Sequence, residues 1–124
     1  GLSVSPGTIH AWADQAAQML QPEVAHIAQL LMKLPLVHAD EPGLGVGARL
    51  YWLHTVASPQ LTWFAAHAQR GLPAFKDHGM LLGLIGAAGH DCWGLYWKLL
   101  CAHGLCNTRL LRELTFQHDT NRQR

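Results

Sequence analysis

Charge is scarce in this sequence and favours neither sign. Of its 124 residues only 14% are Asp, Glu, Lys or Arg, nine basic against eight acidic, for a formal charge of +1 at pH 7. That balance excludes a strongly basic module held to a nucleic-acid backbone by net charge alone, although nine His add positive charge below about pH 6.5. Cysteine is also sparse: Cys92, Cys101 and Cys106 are an odd number without a secretory leader, which reads as reduced thiols in a cytoplasmic protein. Long apolar runs are missing. The longest, Gly79 to Gly89, is glycine-rich and far short of the roughly 18 residues a membrane helix needs, so no membrane partner is expected. Internal repeats and low-complexity segments are absent too. What is present is apolar material, 49% of residues with five Trp among them, enough for one modest domain with a core.

Ile9, Trp12, Ala13, Ala16, Met19 and Leu20 recur at helical spacing, with Ser5 or Thr8 as N-cap. Pro22 either opens a second helix or kinks a single long one that carries Val24, Ile27, Ala28 and Leu31 on one face. Pro35 ends helical character, Leu36–Asp40 reads as a short buried strand, and Pro42, Gly43, Gly45 and Gly47 predict a flexible turn. That glycine run precedes a strand and lacks the Lys and helix N-terminus of a phosphate loop. Leu50–Val56 and Leu61–His67, joined by Ala57-Ser58-Pro59-Gln60, read as an antiparallel hairpin with both faces apolar. A helix over Arg70–His78 ended by Gly79, a weak strand over Leu84–His90 and a helix over Leu105–His118 complete the order, before a polar tail at Asp119–Arg124.

Two acids stand where predicted strands give way to loops. Asp40 and Asp91 are separated by enough chain for a hairpin and a crossover helix, which would return the later strand beside the first. Parallel neighbours lie about 4.8 Å apart, so both carboxylates would meet at one sheet end, and hard oxygen ligands suit Mg²⁺ or Mn²⁺. Two such ions support in-line displacement at a phosphodiester. The plainer reading is that each Asp caps a loop.

Three ordered segments give that spacing a context: His38-Ala39-Asp40-Glu41, Gly86 through Trp93 with His90-Asp91 inside it, and Cys101 through Phe116. Together they resemble successive motifs of the insertion sequence sixty-six family of transposases, of the DDE superfamily, and the likeness runs from Leu2-Ser3-Val4-Ser5 to about Phe116. The resemblance implies an α/β (α+β) fold: a partial ribonuclease H-like core with a mixed sheet, preceded by a helical linker and followed by a helix. It divides the chain into a linker over residues 1–34 after a DNA-binding region, a partial catalytic core over 35–100, and the start of a helical insertion with its tail over 101–124. It makes Asp40 and Asp91 the first and second catalytic acids, with the third, a Glu, expected beyond Arg124, so the chain by itself is expected to be inactive. It implies Mg²⁺ or Mn²⁺ as cofactor, transposon-end and target DNA as partners, accessory proteins of a mobile element, self-association, and a place at a bacterial nucleoid.

The sequence departs from the family pattern at three places. Pro42 stands where Thr is usual and removes a backbone donor beside the acids. Ala87-Ala88-Gly89 replace β-branched residues, which predicts a weakened strand under Asp91. Arg109 stands where His is common, so an imidazole role there does not transfer.

Other constellations compete with structural readings. Cys101, His103 and Cys106 would hold Zn²⁺ if Cys92, His90 or His118 gave a fourth ligand, but a thiol pair in the core is the stronger reading. His38 with Asp40 and His90 with Asp91 would also suit a His/Asp metal-dependent hydrolase, whereas His10, His26, His54, His67 and His78 read as structural or surface residues. Trp52 and Trp63, expected to face each other across the hairpin, suit core packing better than base stacking. Trp93, Arg109 and Arg112 are candidate DNA contacts, with Arg122 and Arg124 in the same basic C-terminal stretch, which reads equally well as a solvated helix face. Glu113 is set aside as a third acid because it falls in the Leu-Leu-Arg-Glu-Leu segment before the expected Glu. A non-enzymatic remnant that binds copies of an intact transposase is the alternative function.

Overall fold

The computed structural model describes residues 3–122; Leu2, at the head of the linker-like segment, and Arg124, in the basic stretch, lie outside them. The N-terminal helix α1 spans Pro6–Leu31, where Ser5 caps it by accepting from Thr8 N at 3.2 Å and Pro6 fills the first turn. Pro22 neither splits nor ends this helix. A proline there removes one backbone bond to the preceding turn, a loss the flanking turns tolerate. Only Leu31 of α1 is buried, so the helix docks by its last turns, where Ile27, Ala28 and Met32 also pack on the core.

The following strands are β1 (Leu36–Asp40), β2 (Gly43–Val46), β3 (Arg49–Ala57) and β4 (Thr62–His67). Asp40 pairs with Thr55 and Gly43 with Trp52, so one antiparallel alignment runs unbroken from β1 into β2. Leu53 N donates to the Pro42 carbonyl at 2.9 Å between them. The glycine run expected to be a flexible turn is therefore mostly strand. The free edge of Arg49–Trp52 gives it partners, and only Gly47, at φ +60°, needs the left-handed conformation of the reversal into β3. β4 takes the other edge of β3 and sets Trp52 opposite His67 and Trp63 opposite Val56, so the expected Trp52–Trp63 pair does not form.

Helix α2 (Leu72–His78) ends at Gly79 in the left-handed conformation, as its sequence predicts. β5 (Ala87–His90) pairs parallel with β1 on one side and with β6 (Ala102–Leu105) on the other, and α3 (Asn107–Arg122) follows. The result is an α+β fold on a mixed sheet ordered β2-β3-β1-β5-β6, with β4 on β3. The sheet thus continues through β6, a strand the sequence did not announce because Ala102-His103-Gly104-Leu105 has no β-branched residue.

Side chains alternate across this sheet. Val37, Ala39 and Glu41 face the buried side, as do His54 and Val56 of β3, Trp63 of β4, and Ala88 and His90 of β5. Phe75 of α2, Met80, Leu81, Leu84, Tyr96 and Leu99 close the core against them. The hairpin, expected to be apolar on both faces, is buried on this one, whereas on the other Phe64 is 57% exposed. Small residues lead into and fill β5. A methyl on Gly86 would run into the Leu34 and Pro35 carbonyls, and one on Gly89 would lie 2.7 Å from the His38 ring, while Ala88 is fully buried. The strand expected to be weak forms, and the close approach of Gly86 to the Leu34 and Pro35 carbonyls gives one physical reason for a small residue there.

Candidate active site

The β1–β5 register pairs His38 with Gly89, and Asp40 and Asp91 each lie two residues beyond that last pair. Both acids leave the C-terminal ends of adjacent parallel strands on the face away from the core, where Asp40 is exposed and Asp91 half-buried. They line one cleft of about 300 Å³ with His38, Thr55, Arg109 and Arg112. A larger groove of about 890 Å³ between α1 and β4 has no carboxylate in its lining.

Each acid is tied down at one oxygen. Asp40 Oδ1 accepts from Glu41 N at 2.9 Å, and Asp91 Oδ1 accepts from Trp93 N at 3.0 Å. Asp91 Oδ2 meets Arg109 Nη1 at 3.4 Å, while Arg109 Nε lies 3.4 Å from Glu113 Oε1. Two carboxylates with anchored oxygens, set at one edge of a cleft, form an oxygen donor set that fits Mg²⁺ or Mn²⁺. Among the described residues no group of three or more His, Cys, Asp or Glu converges in metal-holding geometry, so the pair would need a further donor.

Glu41 does not supply it. Its side chain is only 1% exposed and turns inward, where Oε1 accepts from Arg70 Nε at 3.1 Å and Nη2 at 2.9 Å, and Oε2 accepts from the Tyr96 hydroxyl. Burial raises the Glu41 carboxyl above its ordinary range, against the lowering pull of its Tyr96 and Arg70 bonds. Burial, and then the bond to Glu41, raises the Tyr96 hydroxyl as well. The Arg70 guanidinium lies 3.9 Å from the Trp93 ring centre and 4.8 Å from that of Trp52. Trp93, a candidate DNA contact, has its indole against Arg70 and edge-on to Tyr96.

The histidines sort by burial. His90 is 1% exposed and uses both ring nitrogens, Nδ1 toward the Asp91 carbonyl and Nε2 toward His103 Nδ1 at 3.0 Å. It also stacks on Tyr96 at 4.5 Å. His103 Nε2 reaches the Leu99 carbonyl at 3.3 Å and Cys106 is exposed, so Cys101, His103 and Cys106 do not gather around a fourth ligand. His54, His67 and His78 cluster beside Phe75 and Trp63, and burial lowers the pKa of both His54 and His78.

Glu41, Arg70 and Tyr96 are the residues of this site that sequence reading missed. Arg70 meets Glu41 across 29 positions and Tyr96 meets it across 55, separations with no local periodic signal. The one available clue was strand parity, which puts Glu41 on the inward face with Val37 and Ala39.

A family model described as Transposase IS66 family matches the chain over residues 1–124. No curated protein and no solved structure matches it.

Proposed function

This chain belongs to the IS66 family of transposases, and from that premise we propose that the Asp40–Asp91 cleft is its metal-holding DNA cleavage and strand-transfer site. The observation that carries the reading is the parallel, in-register pairing of β1 with β5, which sets the two carboxylates at one sheet edge. When bound, a pair of divalent ions supplies an activated water or hydroxyl and compensates charge on the leaving oxygen. The chain's own residues do the rest. Asp40 and Asp91 would hold the ions, each steadied by one oxygen that accepts from Glu41 N or Trp93 N. Arg109 and Arg112 line the same cleft from α3 and meet phosphate oxygens of the DNA strand, in exchange for the weak Arg109–Asp91 contact. Glu41 is buried in its bond to Arg70 and the family resemblance sets Glu113 aside, so this chain contributes two of three acids and does not cut DNA alone.

Thermal unfolding with and without Mn²⁺ tests the site, since a ligand held only by the folded state stabilises it by about 2.7 kcal/mol at a hundredfold excess over Kd. The expected result is a raised midpoint that Asp40→Asn and Asp91→Asn each abolish. A shift that survives in both variants overturns the assignment. Robust strand transfer by the purified chain, lost in Asp40→Ala, would overturn its inactivity alone. The non-enzymatic alternative, a chain that associates with copies of a transposase, draws on the exposed Leu111, Leu114 and Phe116 of α3.

A further inference from the structure

We infer that Arg70 is the positioning residue of this site, holding the loops behind Asp40 and Asp91 in register through Glu41 on one side and Trp93 on the other. The inference rests on the reading of Asp40 and Asp91 as a metal-holding pair.

Beyond residue 38 the β1–β5 pairing ends, so the ladder alone does not fix the distance between the two acids. Arg70 bridges that gap. Both its Nε and Nη2 donate to Glu41 Oε1, one residue after Asp40, while its planar face lies on Trp93, whose backbone N–H holds Asp91 Oδ1. Tyr96 closes a second path, donating to Glu41 Oε2 and stacking on His90, the residue before Asp91. Neighbouring Gly71, at φ +90°, is buried against Leu95 and Trp93, and a methyl there would collide with both, so the position after Arg70 admits only glycine.

The chemistry explains why an arginine sits here. A buried carboxylate without its cation would be uncompensated, and it would leave the core or take up a proton. Either change shifts the Asp40–Glu41 backbone. Lysine could supply charge but not a planar fork that binds one oxygen through two N–H groups while stacking on an indole. The Glu41–Arg70 pair is also neutral overall, so it braces the two acids without adding a net charge to compete for a cation.

Residues that orient metal ligands from behind typically account for about 10- to 100-fold in metal affinity. The test is the Mn²⁺ dissociation constant, read from the electron paramagnetic resonance signal of free Mn²⁺, at a temperature where circular dichroism shows each protein folded. Arg70→Ala is expected to weaken Mn²⁺ binding about tenfold or more, with Arg70→Lys recovering part of the loss. Leu31→Ala, a core truncation in α1 remote from the acids, is expected to lower the unfolding midpoint and leave Mn²⁺ affinity unchanged. If Arg70→Ala shows no cooperative unfolding, Tyr96→Phe replaces it, since it removes one Glu41 contact and keeps the ring on His90; a severalfold loss is then expected. Native-like affinity in the folded Arg70→Ala protein, or in its replacement, overturns the inference, as does an equal loss in Leu31→Ala. Failure of the native chain to bind Mn²⁺ more tightly than Asp40→Asn overturns the two-acid reading and this inference together.

Discussion

Glu41 takes a negative charge into the core one position after an exposed Asp, and the contrast shows how sharply strand parity divides neighbours. Similar contrasts separate residues of one type. Gly86 and Gly89 are both tight, but a methyl at Gly86 meets backbone carbonyls that cannot move aside, whereas one at Gly89 meets the ring of the exposed His38, which can turn away. Gly86→Ala is therefore expected to cost about 2–3 kcal/mol in urea denaturation and Gly89→Ala less than about 1 kcal/mol. Among the histidines, His54 is buried, its Nδ1 has no hydrogen-bond partner, and its pKa lies below 6.5 in the folded state. The unfolded chain then binds the proton first. The stability His54 contributes is whole above pH 6.5 and falls as pH drops below it, by at most about 1.4 kcal/mol per pH unit for each proton. His54→Phe keeps the ring against Phe75, and it is expected to flatten the stability profile between pH 7 and the lowered folded pKa. Glu41 has the opposite sign: with its pKa raised above 4.5, it favours the folded state as pH falls through the folded value.

At the scale of elements, α1 divides at Pro22. Residues before it bury nothing, with Trp12 at 58% and Met19 at 80% exposure, while the turns after it reach the core. A proline in a helix interior costs about 3 kcal/mol, so the N-terminal turns are expected to open without unfolding the rest. Pro22→Ala is expected to slow amide hydrogen exchange over residues 12–21 about tenfold or more and to leave the global midpoint nearly where it was. Equal changes in both would show that α1 is one cooperative unit with the sheet. The long β1–β2 strand behaves differently, since its partner β3 is covered by β4 and its glycines lie along a fixed register.

For the whole molecule, among the described residues no helix is long and apolar enough to cross a membrane, yet α3 leaves Leu111, Leu114 and Phe116 at 64%, 66% and 63% exposure. Apolar side chains clustered on one unburied helix favour association. Sedimentation is expected to show a mass that rises with concentration, and Leu111→Glu with Leu114→Glu is expected to return it to that of a single chain. A mass independent of concentration in the unsubstituted chain would refute this.

The sequence by itself determined what depends on local chemistry and short repeats. Ser5 and Pro6 start a helix, Gly79 ends another, and Leu36–Asp40 and the later hairpin read as strands because their signals lie within a few residues of one another. The positions of Asp40 and Asp91 at strand ends were legible for the same reason. Tertiary structure alone decided the rest. Gly43–Val46 became a strand only because β3 offered an open edge, and Ala102–Leu105 only because β5 did, so pairing overrode weak propensity. The Glu41–Arg70–Tyr96 contacts join residues 29 and 55 positions apart, and their energy comes from burial and closure of the core, which no window along the chain contains.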